Sequence, residues 1–177
     1  MNKTWYQKLF RHDAPADSGR RKTGPFPDNA DMQFARAVNC DIGAGETQDD
    51  TEAAKWYRKA AEQGYALAQF NLAVMYDQGQ GVARDQAEAA KWFRRAAEQG
   101  DAGAQFQMGK RCQRDGFDAP IGDAGEAKIE AFKWFNLAAA QGYKDSEIYR
   151  ERISLVLTRE EFAEGQRRST LFLESLK

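Results

Sequence analysis

The 177 residues are 42% hydrophobic and 30% charged, with a formal net charge of −1; this is enough apolar content for one packed domain or a short stack of repeated units, and it gives no bulk attraction to nucleic acid or anionic lipid. No apolar run approaches the roughly 20 residues that cross a bilayer, and the start, MNKTWYQKLFRHD, lacks the apolar centre and small-residue cleavage site of a secretory signal, so a cytoplasmic protein without a membrane partner is expected. Two cysteines, Cys40 and Cys112, and a single histidine, His12 in a polar segment, leave no disulfide framework, no zinc site and no Ser-His-Asp or Cys-His pairing for the folded part.

Residues 1–28 hold six Lys or Arg against three Asp and are rich in Pro, Gly and Ser without a helical period. They read as a flexible lead-in, with Arg20-Arg21-Lys22 a solvated basic run and TWYQKLF a short turn that docks on the first repeat. From residue 29 the chain changes character. EAAKWYRKAAEQG at 52–64 returns as EAAKWFRRAAEQG at 88–100, 36 residues later, the signature of a repeat architecture. Sliding the chain aligns Trp56, Trp92 and Trp134, and ahead of them Gln33-Phe34, Gln69-Phe70 and Gln105-Phe106. Three units result, at about 30–65, 66–101 and 102–143, with a partial fourth; the repeat domain is set at 29–157 and a C-terminal capping helix at 158–177.

Each unit reads as two helices. In the second unit Ala68, Leu72, Met75 and Tyr76 recur at i, i+4, i+7 and i+8, one helical face. Gly79 and Gly81 then open a tight turn. Asp85 caps the next helix and Glu88 can reach back to it; Asp49 with Glu52 and Asp123 with Glu126 repeat the device. Gly64, Gly100 and Gly142 close the second helices in the left-handed conformation. In the first copy of the thirteen-residue segment Ala53, Tyr57, Ala60 and Ala61 share one face with Trp56 beside them. A single hairpin cannot bury that stripe alone, whereas stacked copies bury it against each other. The fold expected is an all-α solenoid of helical hairpins.

The third unit carries six extra residues between Trp92 and Trp134. Four are assigned to its second helix and two to the loop RDGFDAPIGD around Pro120. Beyond Gly142, DSEIYRERISLVL forms an amphipathic helix through Ile148, Ile153 and either Leu155 or Val156, and Thr158 with Glu161 forms a capping box for the last helix. Leu171, Phe172, Leu173 and Leu176 cannot all face inward from that helix, so it either docks deeply or supplies a homodimer surface.

These residues resemble the Sel-1-like repeat, a relative of the tetratricopeptide repeat. The family pattern A-x-A-Q, L-G-x-x-Y, G-x-G-V, then a D leading to A-x-x-W-Y/F-x-K-A-A-x-Q-G is matched by Ala66, Ala68, Gln69, Leu72, Tyr76, Gly79, Gly81, Val82, Asp85, Ala89, Trp92, Phe93, Ala96, Ala97, Gln99 and Gly100, and the resemblance extends over about 30–146. Arg36 and Cys40 depart from it in the first unit and Cys112 in the third. The resemblance implies a bacterial protein-interaction scaffold, not an enzyme. Some such proteins carry a disulfide in each repeat, but Cys40 and Cys112 sit two repeats apart, roughly 20 Å on ordinary helix spacing and beyond the ~7 Å limit for bridging.

No cofactor or metal is expected. Gly79-Gln80-Gly81 follows a helix rather than a strand and lacks the third glycine of a dinucleotide loop. Asp41, Glu46, Asp49, Asp50 and Glu52 lack calcium-loop spacing and suit a helix start. Cys112 beside Lys110 and Arg111 would have a lowered pKa if those charges governed it, but a core role is the simpler reading. The favoured function is binding a peptide or helix of another protein on a concave face, through Phe34, Val38, Phe70, Val74, Asp77, Phe106, Lys110 and Gln113. The phenylalanines have an equal alternative, filling the angle between units. Self-assembly through the last helix and hydrolase activity are the competing functions; a basic stripe for RNA is absent.

Overall fold

The computed structural model describes residues 29–43, 48–118 and 124–176, with side chains 116–118 left aside. The expectations for residues 1–28, Glu46, Pro120 and the Asp123 cap lie outside these. Eight helices and no strand occupy the described residues: α1 (Ala30–Ile42), α2 (Asp50–Glu62), α3 (Ala66–Gln78), α4 (Gln86–Glu98), α5 (Ala102–Asp118), α6 (Ala124–Ala140), α7 (Ser146–Ser154) and α8 (Arg159–Ser175). From α1 to α7 each packs on its neighbours in sequence, and α8 packs back on α6, the stacked hairpins of a solenoid.

The repeated letters become repeated contacts. Ala53, Tyr57, Ala60 and Ala61 are fully or almost fully buried, as are Ala89, Phe93, Ala96 and Ala97 one unit on. Within every hairpin an aromatic pair joins the two helices at nearly constant geometry: Phe34 to Tyr57 at 5.7 Å and 56°, Phe70 to Phe93 at 5.8 Å and 58°, Phe106 to Phe135 at 5.8 Å and 56°. Tilted pairs at this separation suit the ring quadrupole. Each repeated tryptophan lies under a cation, Trp56 under Lys59 at 4.0 Å, Trp92 under Arg95 at 4.6 Å and Trp134 under Lys133 at 4.3 Å.

The aligned glutamines also meet. Gln63 Nε2 donates to Gln33 Oε1 at 2.9 Å, Gln99 to Gln69 at 2.7 Å and Gln141 to Gln105 at 2.9 Å. Gln69 and Gln105, both buried, in turn donate to the backbone oxygens of Ala61 and Ala97 in the preceding units. A buried amide costs stability unless paired, so the second and third glutamine pairs each close their own hairpin while fixing its register on the unit before.

The caps differ from expectation in one respect. Asp49 accepts from Glu52 N at 2.9 Å, and Asp85 from Ala87 N and Glu88 N at 2.9 and 3.0 Å. The carboxylate of Glu52 is used elsewhere: it accepts from Trp56 Nε1 at 2.8 Å and from Lys55 at 3.1 Å. The full reciprocal box occurs at α8, where Thr158 and Glu161 exchange both bonds.

The third unit lengthens in both helices. α5 and α6 each have 17 residues against 13 in α3 and α4, and the connection shortens. The four residues expected in the second helix are there, whereas the two expected in the loop are not, because α5 also gains four. The reason is local: the stations of Gly79 and Gly81 are taken by Asp115 and Phe117, so nothing stops α5 in the left-handed conformation. Beyond it, Ile153 is buried, but Ile148 faces solvent, and Leu155 and Val156 lie past the end of α7 and are exposed. Arg36, at the station of buried Leu72, lies on the open side of α1 and covers the Trp56 indole at 4.3 Å.

α8 is held by Arg168, which binds Glu126 and Glu130 of α6 and Glu164 of its own helix. Phe172 stands edge-on to Trp134 at 5.6 Å, while Leu171, Leu173 and Leu176 remain about half exposed. The bonds from Arg167 and Arg168 hold the Glu164 carboxyl down at about 2, and Arg168 holds Glu126 below the ordinary range. Carboxylates lowered by folding add stability above their unfolded value near 4.3 and lose it as pH falls toward the folded value. Arg168→Met should therefore destabilise the chain modestly at neutral pH, since the pairs it removes are partly solvent-exposed. The difference from wild type, measured by urea unfolding, should shrink steadily from about pH 4.5 to pH 2; a constant difference would place Arg168's contribution in packing instead.

Candidate functional site

The first helices of the units, α1, α3 and α5, form one face of the molecule, with two clefts in it. Asp41 of α1, Tyr57 of α2 and Asn71, Val74, Met75 and Gln78 of α3 line the first, about 170 Å³, and Gln80 past the end of α3 joins these six at its edge. Asp77, Phe93, Gln107, Lys110, Arg111 and Arg114 line the second, about 260 Å³. Adding 36 to each of those six numbers in the first cleft gives the six of the second. The two clefts are one site written twice, with an aromatic from the second helix below and polar or aliphatic side chains from two first helices around it.

Chemistry at the matching stations differs. Tyr57 OH donates to Asp41 at 3.3 Å in the first cleft, whereas Phe93 has no hydroxyl to offer Asp77 in the second. Val74, Met75 and Gln78 become Lys110, Arg111 and Arg114. Arg111 is fixed by two bonds to the start of α4, Nη1 to Gln86 Oε1 at 3.1 Å and Nη2 to Gln86 O at 3.0 Å. The Asp77 backbone oxygen accepts from Arg84 Nε at 2.9 Å.

A row of phenylalanines open to a partner is not what the geometry provides. Phe34, Phe70 and Phe106 are 7%, 9% and 9% exposed. Phe34 lies against Tyr65 as well as Tyr57, and Phe106 against Tyr143 and Tyr149 as well as Phe135. Their spacing puts them on the side of the first helix that meets both its own partner helix and the following unit. Val38 and Gln113 are half-buried outside the two clefts. Val74, Asp77 and Lys110 do line them. The sequence row omits Asn71, Gln78, Gln107, Arg111 and Arg114; extending it by one helical turn, from 74 to 78 and from 110 to 114, reaches Gln78 and Arg114.

Cys112 packs against the core, as the simpler reading expected, and the lowered pKa of the alternative does not arise. Burial, followed by the charges of Glu130 and Asp115, pushes its thiol up to about 11, against the smaller opposing pull of Arg94 and Lys133. It is a protonated packing group, and neither it nor Cys40 is in a disulfide. Among the described residues no cluster of His, Cys, Asp or Glu is arranged to hold a metal ion, and no helix is long and apolar enough to cross a membrane.

Helical hairpins stacked in register, joined by repeated aromatic and glutamine pairs, define an α-solenoid repeat protein. The Sel1 repeat pattern matches residues 30–65, 66–101 and 102–143, and the chain belongs to the Sel1 repeat family, whose members commonly act as protein-interaction scaffolds. Among solved structures it is similar to a Sel1 repeat protein from Oxalobacter formigenes, at 37% identity and TM-score 0.60, over 67% of this chain and 46% of that one. It is also similar to c5321, a protective antigen present in uropathogenic Escherichia coli strains displaying an SLR fold, at 26% identity and TM-score 0.59, over 83% of this chain and 38% of that one. The chain thus spans less than half the length of either structure. No curated protein matches it.

Proposed function

We propose that the chain is a non-enzymatic adaptor that receives a peptide or helix of another protein along the face formed by α1, α3 and α5. The observation that supports this is the recurrence of one cleft at two stations 36 residues apart. A segment lying along the face would meet the same kind of socket twice, and two weak contacts on one ligand combine into a stronger one. Polar rims, here Gln78, Lys110 and Arg114, around apolar floors, here Tyr57, Met75 and Phe93, are the usual make-up of such surfaces. Panning a random peptide-display library against the full chain tests the reading. Enriched peptides should lose about tenfold or more in affinity to Val74→Arg and keep it with Lys91→Gln, on the solvent side of α4. Peptides indifferent to Val74, or no enrichment at all, would remove the groove.

A further inference from the structure

The two clefts share a plan but not a charge, and that difference identifies the partner's chemistry. The first contains one ionisable carboxylate, Asp41, and no Lys or Arg; the second sets Lys110, Arg111 and Arg114 around the single carboxylate of Asp77. We infer that the second cleft takes an acidic stretch of the bound polypeptide, with at least two Asp or Glu side chains, while the first takes a neutral one. This deepens the groove reading and rests on it.

The arrangement favours carboxylates in particular ways. Arg111 is already oriented by its two bonds to Gln86, so little freedom remains to be lost when a ligand binds, and guanidinium groups match carboxylates as planar forks. Arg114 is 58% exposed and its one ion pair among the described residues, to Asp115, is a loose 3.7 Å contact; solvated pairs of that kind contribute little and exchange readily. Lys110 is exposed at the rim, 5.8 Å from the Phe106 ring centroid. With the whole chain at a formal −1, attraction of an acidic segment is a local property of this cleft. Residues 1–28 carry six cations against three acids, the wrong sign for this cleft, so the occupant is a partner's segment rather than the chain's own lead-in. A nucleic acid would require basic charge continuing along the face to follow successive phosphates, and the neighbouring cleft has Asp41 instead.

The test uses the full chain and two fluorescein-labelled twelve-residue peptides, one alternating glutamate and alanine, the other glutamine and alanine, read by anisotropy at low salt. The glutamate peptide should bind about tenfold tighter, with the preference fading as salt is raised. Lys110→Glu with Arg114→Glu, both exposed and clear of the Gln86 anchor, should abolish the preference, and Val74→Arg should leave it in place. Circular dichroism of the double variant checks that the helices persist. Equal binding of the two peptides, a preference surviving the double variant, or full displacement by a dodecamer of oligothymidylate would overturn the inference. Display-selected peptides that are neutral yet still sensitive to Val74→Arg would overturn the acidic assignment alone and leave the groove standing, whereas display-selected peptides whose affinity ignores Val74→Arg, with the glutamate preference intact, would count against the extended groove and leave the acidic cleft.

Discussion

Phe70→Ser and Phe106→Ser are each expected to cost about 3–5 kcal/mol, the range for emptying a buried aromatic site, with a further term for a hydroxyl left without a partner. In a chain of this size that is a fall in melting temperature of about 6–20 °C for each. The two together would approach the whole stability of an ordinary domain, about 5–15 kcal/mol. The reason is that each ring stands at a three-way junction. Phe106 touches Phe135 of its own hairpin and both Tyr143 and Tyr149 of the next turn of the stack, so its loss loosens two interfaces at once. Differential scanning calorimetry of the single variants gives the answer. Unchanged melting with lost peptide binding would instead make the rings contact residues of the groove.

Gly81→Ala should be nearly as damaging, for a different cause. Gly81 has φ +64°, and a Cβ built on it would lie 2.0 Å from Asp50 O and 2.7 Å from Thr51 N. The turn between α3 and α4 rests directly on the start of α2, and only a residue without a side chain permits that approach. The left-handed conformation alone costs an alanine about 1–2 kcal/mol, and separating the two backbones brings the total to about 3–4 kcal/mol. Gly64 supplies the comparison. It has φ +91° but nothing within 4 Å of its built Cβ, so Gly64→Ala should show the conformational cost only. Urea unfolding of both variants separates the effects; equal losses would mean that the turn moves aside freely.

Much of the fold was legible because a repeat supplies its own alignment. Trp56, Trp92 and Trp134 in register located the second helices, and Asp49 and Asp85 located their starts. The end of α5 was not legible to the eye that carried Gly79 and Gly81 forward as a rule, although Asp115 and Phe117 at those stations already removed the stop signal. The glutamine pairs were visible as letters but not as contacts, since Gln63 and Gln33 are 30 residues apart and which side chains meet depends on how two helices pack. Arg36 looked like a flaw in the pattern. It becomes sensible once α1 is seen to have no described helix against that face, where leucine would be exposed and a guanidinium can cover an indole. For the candidate site, the helical row through 70, 74 and 77 led to the correct face, yet periodicity could not say which members lie in the seam and which at its mouth. Bulk separates them: the large rings pack inward, and the shorter or charged side chains remain at the rim.

The glutamine contacts carry one more implication, concerning length. The middle hairpin donates backward from Gln69 to the Ala61 oxygen and is joined forward through its own Ala97 oxygen to Gln105. Its two edges are thus plug and socket of a single connector. A duplicate of residues 66–101 spliced in after residue 101 would find both halves waiting, and would bring with it another basin on the ligand side. Molecules of this design can be extended tile by tile, each addition lengthening the reach over a partner without redesign of what is already there.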